Sequence, residues 1–458
     1  MGFEISNEHK ECATTTSEQR LRLLLVAYFY PPIAAIGSLR SQSFARWLPR
    51  YGIDVTVVTP KWHGHLPIDN TVLRYGKVVE TGILPAVTLP RSFESAKLQA
   101  SSTHLSSISS SVLRSQLRAL SFTISACLRD VSRFPDEAIG WYPYAIRDSL
   151  RELKTGRYDY ILSSAPPFTA HAIGATLKDR TGLPWIADYR DTVSGNPYIK
   201  PRKLRQLDRW ARYIERRLVK YADLMVTTSE QYRNQMIGVH NRTDIALVFN
   251  GYEPDDLSCP ELNVDGSCLS ITYTGELDHT RDPSPLFQAL QIGLTNGWLQ
   301  PDLLRVRFFG NSSHMAKSIA DSYGIPTFVE VRPRVSRNES LKKQLQSSIL
   351  LFIDTMPAEQ QLAISGKLFE YLATGKPILG ISPYGGAMAQ FLANYERALV
   401  SVDPIEIENF LHRHWEAAQI GFQPKSSIPA SDTYNYTREA QASLLAKLMW
   451  SSLDVQCR

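Results

Sequence analysis

Short apolar, β-rich runs recur along the chain, and stretches of helical period separate them. In the first half the runs are Leu21–Ala27, Asp54–Thr59, Tyr158–Ser163, Pro184–Asp188, Leu224–Thr228 and Ile245–Phe249. In the second half they are Leu269–Thr274, Val306–Phe309, Phe328–Val331, Ile349–Ile353, Pro377–Ile381 and Ala398–Val402. Continuous apolar runs, as opposed to apolar–polar alternation, belong to strands covered on both faces, and helices between them make the pairing parallel. The alternation breaks once, at "FNGYEPDDLSCPELNVDGS" (249–267), which is polar, rich in Gly, Pro and Asp, and without period. The pattern therefore predicts α/β architecture with two facing doubly wound, Rossmann-like domains. Their default ligand site is the cleft outside the carboxyl ends of the strands.

The expected boundaries are a disordered tail at 1–20, a first domain at 21–250, a linker at 251–267, a second domain at 268–432, and a helix packing back at 433–458. One stretch departs from the alternation. Residues 91–140 are Ser-rich, then place Leu113, Leu117, Leu120, Ile124, Cys127, Leu128, Val131 and Phe134 on one helical face, with Arg114, Arg118, Arg129 and Arg133 interspersed. A core-facing helix with a solvated basic face fits this pattern. So does a basic amphipathic helix resting on an anionic membrane or a lipid-linked substrate.

Composition narrows the class. At 458 residues with 43% apolar and 21% charged, the chain is an ordinary globular one. The net charge of +5 suits an anionic ligand or membrane surface, and there is no dense basic run with base-stacking residues, so nucleic acid is not an expected partner. Five scattered cysteines (Cys12, Cys127, Cys259, Cys268, Cys457) match no metal spacing and read as reduced thiols. The polar N-terminus has no apolar core of a signal peptide, and no run reaches the roughly 18 apolar residues of a membrane span. A cytoplasmic protein, with peripheral membrane contact as an option, is the expectation.

Three stretches carry candidate chemistry. In "YFYPPIAAIGSLR" (28–40) a strand exits through two prolines, which cannot continue a central ladder, into a small-residue loop. Gly37 lets a ligand approach the backbone, Ser38 is placed to cap a helix starting near Leu39, and free N–H groups there favour an anion. A tight strand–helix turn explains the same residues. In "SSAPPFTAHAIGATLKDRTGLPWIADYRD" (163–191) a second strand leaves through prolines, with His171 near the next helix start and Asp188, Arg190 and Asp191 at the end of the following strand. A structural histidine and a salt-bridged loop are the plainer alternatives. "SGKLFEYLATGKPIL" (365–379) is the most specific: Gly366 and Lys367 open a helix, offering N–H groups, the positive dipole end and a cation to one anion. Glu370, one turn on, can accept two hydrogen bonds from a vicinal diol. An ordinary capped helix with a solvated Glu370 is the alternative.

With these stretches the sequence resembles the retaining glycosyltransferases of family 4, the "group 1" type with the GT-B fold. The resemblance runs through "YFYPPIAAIGSLR", "SSAPPFTAHAIG…GLPWIADYRD", "FNGYEPDDL" and "ITYTGELDHTRDPSPLFQAL…SGKLFEYLATGKPIL", in the family's order, over about residues 21–403. The subgroup it is most similar to makes bacterial surface polysaccharides. The resemblance implies a nucleoside-diphosphate-sugar donor held by the second domain and a glycan or lipid-linked acceptor. It places Glu370 on the ribose, and Gly366, Lys367, Leu368, Gly275 and Arg281 around the diphosphate. It sets Gly37, Ser38, Arg40, Asp188, Arg190 and Asp191 toward the sugar or acceptor, with His171, Arg281 and Lys367 as the catalytic candidates. No metal or other cofactor is implied. Two positions depart from the family: Leu362 stands where the first glutamate of a Glu-x7-Glu pair is common, and Glu276 follows the glycine of "YTG" where arginine is often found. Two rivals stand beside this reading: an epimerase or hydrolase of the same fold using the same donor site, and a non-catalytic nucleotide-sugar-binding subunit, which these departures keep open.

Overall fold

The computed structural model describes residues 20–33, 35–61, 68–69, 72–84, 130–132, 134–192, 205–257, 268–278, 280–311, 313–419 and 433–456. The basic amphipathic stretch around 113–129 and the terminal tail lie outside them. The first sheet has seven parallel strands: β1 (Leu21–Ala27), β2 (Ile53–Pro60), β3 (Lys77–Thr81), β4 (Tyr160–Ala165), β5 (Trp185–Tyr189), β6 (Leu224–Thr227) and β7 (Ile245–Leu247), in the order β3-β2-β1-β4-β5-β6-β7. The second has six parallel strands: β8 (Leu269–Thr274), β9 (Leu304–Phe309), β10 (Val329–Arg332), β11 (Ile349–Ile353), β12 (Ile378–Ile381) and β13 (Ala398–Ser401), ordered β10-β9-β8-β11-β12-β13.

The helices among the described residues are α1 (Ile36–Trp47), α2 (Tyr142–Thr155), α3 (Thr169–Thr181), α4 (Arg205–Tyr221), α5 (Glu230–His240), α6 (Ser284–Thr295), α7 (Ser313–Ser322), α8 (Arg337–Gln346), α9 (Gly366–Ala373), α10 (Ala387–Leu392), α11 (Pro404–Gln419) and α12 (Arg438–Gln456). The strand composition follows from their placement. On β1, Leu23 and Leu25 join the core under α1 and α12, while Leu24 and Val26 join the core under α2 and α3. A strand that feeds two cores has almost no solvent face, so six of its seven positions are apolar and only Arg22, near its start, is exposed. Each buried leucine contributes roughly 1.5–3 kcal/mol.

The chain crosses from the first sheet to the second near residues 248–257 and returns near 433–438, and the two crossings pair. Tyr252 N–H donates to Tyr436 O at 3.0 Å, and Arg438 N–H donates to Tyr252 O at 2.9 Å. Gly251 permits this contact: its φ is +68°, and a Cβ there would lie 2.8 Å from Tyr436 O. The final helix α12 then packs on the first domain, where Ala442, Leu445, Ala446 and Met449 join its core.

In each sheet the strand order reverses once, at β1/β4 and at β8/β11. Helices on either side of such a point diverge to opposite faces and leave a crevice at the carboxyl ends.

Candidate functional site

The first-domain crevice is lined by the exits of β1, β4 and β5. The helix after β1 starts earlier than expected, at Ile36, with Ala35 at the N-cap and no side-chain cap. Ser38 therefore lies inside the first turn; its hydroxyl donates to Ile33 O at 2.7 Å and to Ala35 O at 2.8 Å. Ser38 braces the loop and caps nothing. Gly37 has a specific neighbour: a Cβ there would lie 2.5 Å from Arg190 Nη1. That guanidinium donates to Gly37 O (3.0 Å) and Ala165 O (3.2 Å) and also to Pro166 O, so it ties the β1 and β4 exits together. The small loop makes room for an arginine of its own fold.

Arg40 and Asp188 also meet. Arg40 Nη2 lies 2.7 Å from Asp188 Oδ1 with both side chains at most 4% exposed, and Ser164 donates to the same carboxylate at 2.7 Å. Burial disfavours the charged carboxylate, but the Arg40 guanidinium and these hydrogen bonds outweigh it and hold Asp188 below its usual range. Arg40 Nη1 reaches on to Phe249 O at 2.8 Å, at the interdomain crossing. Asp191 accepts from Tyr232 OH at 2.9 Å.

His171 is fully buried in α3. Its ring packs between Phe168, Trp185 and Tyr189, and its Nδ1 lies 2.8 Å from Ser163 Oγ. Burial pushes its pKa down to about 3, so it is neutral at ordinary pH. A histidine enclosed in this way does not reach the crevice. In this conformation His171 is enclosed in the core and Arg40 is closed on Asp188.

The second-domain crevice is built differently. Lys367, the second residue of α9, extends across the crevice and donates to Thr274 O at the end of β8. Gly275 gives it room, since a Cβ there would lie 3.1 Å from Lys367 Nζ. Burial lowers the Lys367 pKa; Glu370 and Glu276 oppose that fall, while Arg281 and Arg334 add to it. These five side chains thus share one electrostatic neighbourhood. A Cβ on Gly366 would meet nothing within 4 Å, so the start of α9 opens onto free space. The first N–H groups of a helix have no intrahelical acceptor and can serve a ligand. Leu368 does not share this role: its side chain is buried and its N–H donates to Ser365 O. Arg281 pairs with Asp278 and sits where the β8 and β11 loops meet, marked by Thr355 N–H donating to Thr280 O at 2.9 Å. Glu370 Oε1 accepts from Arg337 Nη2 at 2.7 Å.

Leu362 lies on the loop before α9, and its carbonyl accepts from Ser229 Oγ, the N-cap of α5 in the first domain, at 2.5 Å. The two crevices thus face one another across a cleft that is bridged on this side. Sequence reasoning missed Arg334 and Arg337. Among the described residues no three His, Cys, Asp or Glu side chains are grouped to hold a metal, and no helix is long and apolar enough to cross a membrane.

Comparison with known proteins agrees with this fold. Residues 116–256 match the family described as Glycosyltransferase Family 4. No curated protein sequence matches the chain. Among solved structures, sucrose-phosphate synthase from Thermosynechococcus elongatus superposes with a TM-score of 0.64 at 12% identity, over 95% of this chain and 100% of that one. Anabaena HepE in complex with UDP gives 0.60 at 12% identity, over 94% and 100%. WaaG, a glycosyltransferase involved in lipopolysaccharide biosynthesis, gives 0.53 at 12% identity, over 92% and 99%. Residues 116–256 are thus similar to Glycosyltransferase Family 4, and the chain shares the two-domain fold of the GT-B glycosyltransferase structures.

Proposed function

We propose that the protein transfers a hexosyl or N-acetylhexosaminyl unit from a nucleoside-diphosphate sugar to a hydroxyl of a glycan or lipid-linked acceptor, with retention, in surface-polysaccharide or glycoconjugate synthesis. The observation that carries this reading is the opening of the α9 N-terminus, with Lys367 across it and Glu370 one turn on, at the β8/β11 crevice. The sugar–phosphate bond breaks heterolytically, its electron pair leaves on the diphosphate, and positive charge develops on the sugar. Lys367, Arg281 and the helix N-terminus stabilise the departing anion from fixed positions. The acceptor oxygen bonds to the anomeric carbon and its proton passes to a diphosphate oxygen, so no protein base is needed. Glu370 holds the ribose hydroxyls. The cations at the crevice take the place of a metal ion, and transfer persists in EDTA; loss of activity there would refute this point.

UDP is the first nucleotide to try, because HepE is a structural neighbour with UDP bound. Binding is measured for UDP, GDP and ADP, and transfer is followed from the sugar conjugate of whichever binds to an added acceptor. Glu370→Ala weakens nucleotide binding by about tenfold, as expected for lost charge-assisted bonds. Unchanged affinity would remove the site. Nucleotide binding with no transfer to any acceptor would favour the non-catalytic subunit, which the departures at Leu362 and Glu276 allow.

Peripheral contact with the cytoplasmic face of a membrane belongs to the same reading. On α4, Arg209, Arg212, Arg216, Arg217 and Lys220 surround Trp210 and Tyr213, which are 58% and 50% exposed, and Glu215 is buried. Exposed aromatics among cations suit an anionic lipid interface. Flotation with anionic but not neutral vesicles is expected, and equal behaviour with both would exclude it.

A further inference from the structure

Arg337 opens α8 and joins two carboxylates that are far apart in the chain. Its Nη2 donates to Glu370 Oε1 at 2.7 Å and its Nη1 to Asp256 Oδ2 at 2.7 Å. The helix start is fixed by Ser336, whose Oγ accepts from Glu339 N–H at 3.3 Å. Asp256 is equally fixed. It belongs to the turn Pro254–Leu257 on the interdomain crossing, and Leu257 packs in the second-domain core with Leu341 and Leu345 of α8. Glu370 is only 12% exposed, Arg337 32% and Asp256 29%. Burial opposes the guanidinium charge, but the two carboxylates outweigh it and raise the Arg337 pKa. The cation is therefore permanent.

A carboxylate on a helix has several rotamers, and only some present an oxygen to a diol. A fork held at both ends removes that freedom for Oε1 and leaves Oε2 for a ligand. We propose that Arg337 is a positioning residue that aims Glu370 at the ribose of the donor, and that Asp256 anchors it to the interdomain crossing. This inference rests on the donor-site reading above. It makes a contact with the nucleoside depend on a residue of the crossing between the domains.

The alternative physical outcome is competition, in which Arg337 occupies Glu370 and must be displaced by the ribose. The two differ in sign. Binding of UDP, GDP and ADP, and of their 2′-deoxy counterparts, is measured by calorimetry on the full chain. The readout is the ratio of ribo- to deoxynucleotide affinity for the nucleotide that binds. Arg337→Met is expected to lower this ratio about tenfold while leaving deoxynucleotide affinity unchanged. Arg337→Lys, which supplies one point charge in place of a fork, is expected to fall between. Asp256→Asn is expected to act in the same direction with smaller size. An Arg337→Met ratio that is unchanged or higher overturns the inference. Glu370→Gln is the control for the site. If it leaves the ratio intact, or if no diphosphate binds, the donor-site reading fails and the inference with it. If it collapses the ratio while Arg337→Met does not, only the inference fails.

Discussion

In the first-domain crevice the charged residues face each other. Arg40 closes on Asp188 with both side chains buried, and Arg190 gives its guanidinium to three carbonyls. In the second-domain crevice Lys367, Arg281 and Arg334 converge beside a helix N-terminus that opens onto free space. Both sets stand at the carboxyl ends of parallel strands, and in sequence both read as ligand contacts. The difference is closure. A charge enclosed with its partner is costly to unpair and is silent toward ligands. A charge at an open helix start keeps binding capacity for an incoming anion.

The sharpest break of this comparison is Asp188→Ala. It leaves the Arg40 guanidinium buried without its partner, and breaking such a pair typically costs about 3–5 kcal/mol. The expected outcome is a large fall in the first domain's unfolding midpoint, followed by circular dichroism. A small fall would mean that Arg40 finds water and that the pair is more open than its burial indicates. Next in size is Lys367→Ala. Removing one preorganised cation from a leaving group is expected to cost about 3–4 kcal/mol of transition-state stabilisation. The turnover rate should fall a few hundredfold while the unfolding midpoint stays near that of the wild type. Large destabilisation with retained turnover would reverse the roles assigned to the two crevices.

Much of this architecture was legible in the apolar pattern. The bounds read for β1, β8 and β11 are those observed, because strands buried on both faces keep long runs of apolar and β-branched residues, and the polar positions within β8 are only Ser and Thr, all buried. The edge strand β3 was not anticipated. Its sequence, Lys-Val-Val-Glu-Thr, has one covered end and polar residues facing water, so it lacks the continuous run. Around the second crevice, Gly366, Lys367 and Glu370 were readable as one cluster because a helix start and its first turn are local features, and Gly275 because it ends the run of β8. Arg337 was not, since its partners stand 81 and 33 positions away. The closure of Arg40 on Asp188 was not readable for the same reason: the two lie 148 positions apart. Local pattern finds charges at strand ends, but only tertiary contact tells which of them are closed.

His171 offers a pH test of the first crevice as framework. Its pKa is about 3 in the fold against 6.5 for a free side chain. A histidine with a depressed pKa contributes stability that is whole above the free value and lost as pH falls toward the folded one. Between about pH 6.5 and 3 the unfolded chain takes up a proton that the fold resists, at up to about 1.4 kcal/mol per pH unit. In His171→Phe, denaturant unfolding across this window should show a slope shallower by one proton. An unchanged slope would mean that the imidazole reaches water and is not core.

The smallest expected effect concerns how the two crevices are held facing one another. Ser229 Oγ donates to Leu362 O across the cleft and also accepts from Tyr232 N–H as the cap of α5. Two substitutions separate these roles. Ser229→Ala loses both, whereas Ser229→Asp keeps a capping oxygen, cannot donate, and sets a carboxylate against a carbonyl. One hydrogen bond of about 0.5–1.5 kcal/mol corresponds to a change of roughly two- to tenfold in the open-to-closed ratio. Small-angle scattering should find both variants more open than the wild type, with Asp at least as open as Ala. Thermal stability should fall in Ala more than in Asp, because only Ala loses the cap. If opening instead followed stability, with Ala open and Asp closed, the cap would be the functional contact. The Leu362 carbonyl would then have no part in closing the cleft. Opening in both variants assigns that part to the backbone of the position where the side chain departs from the glutamate pattern.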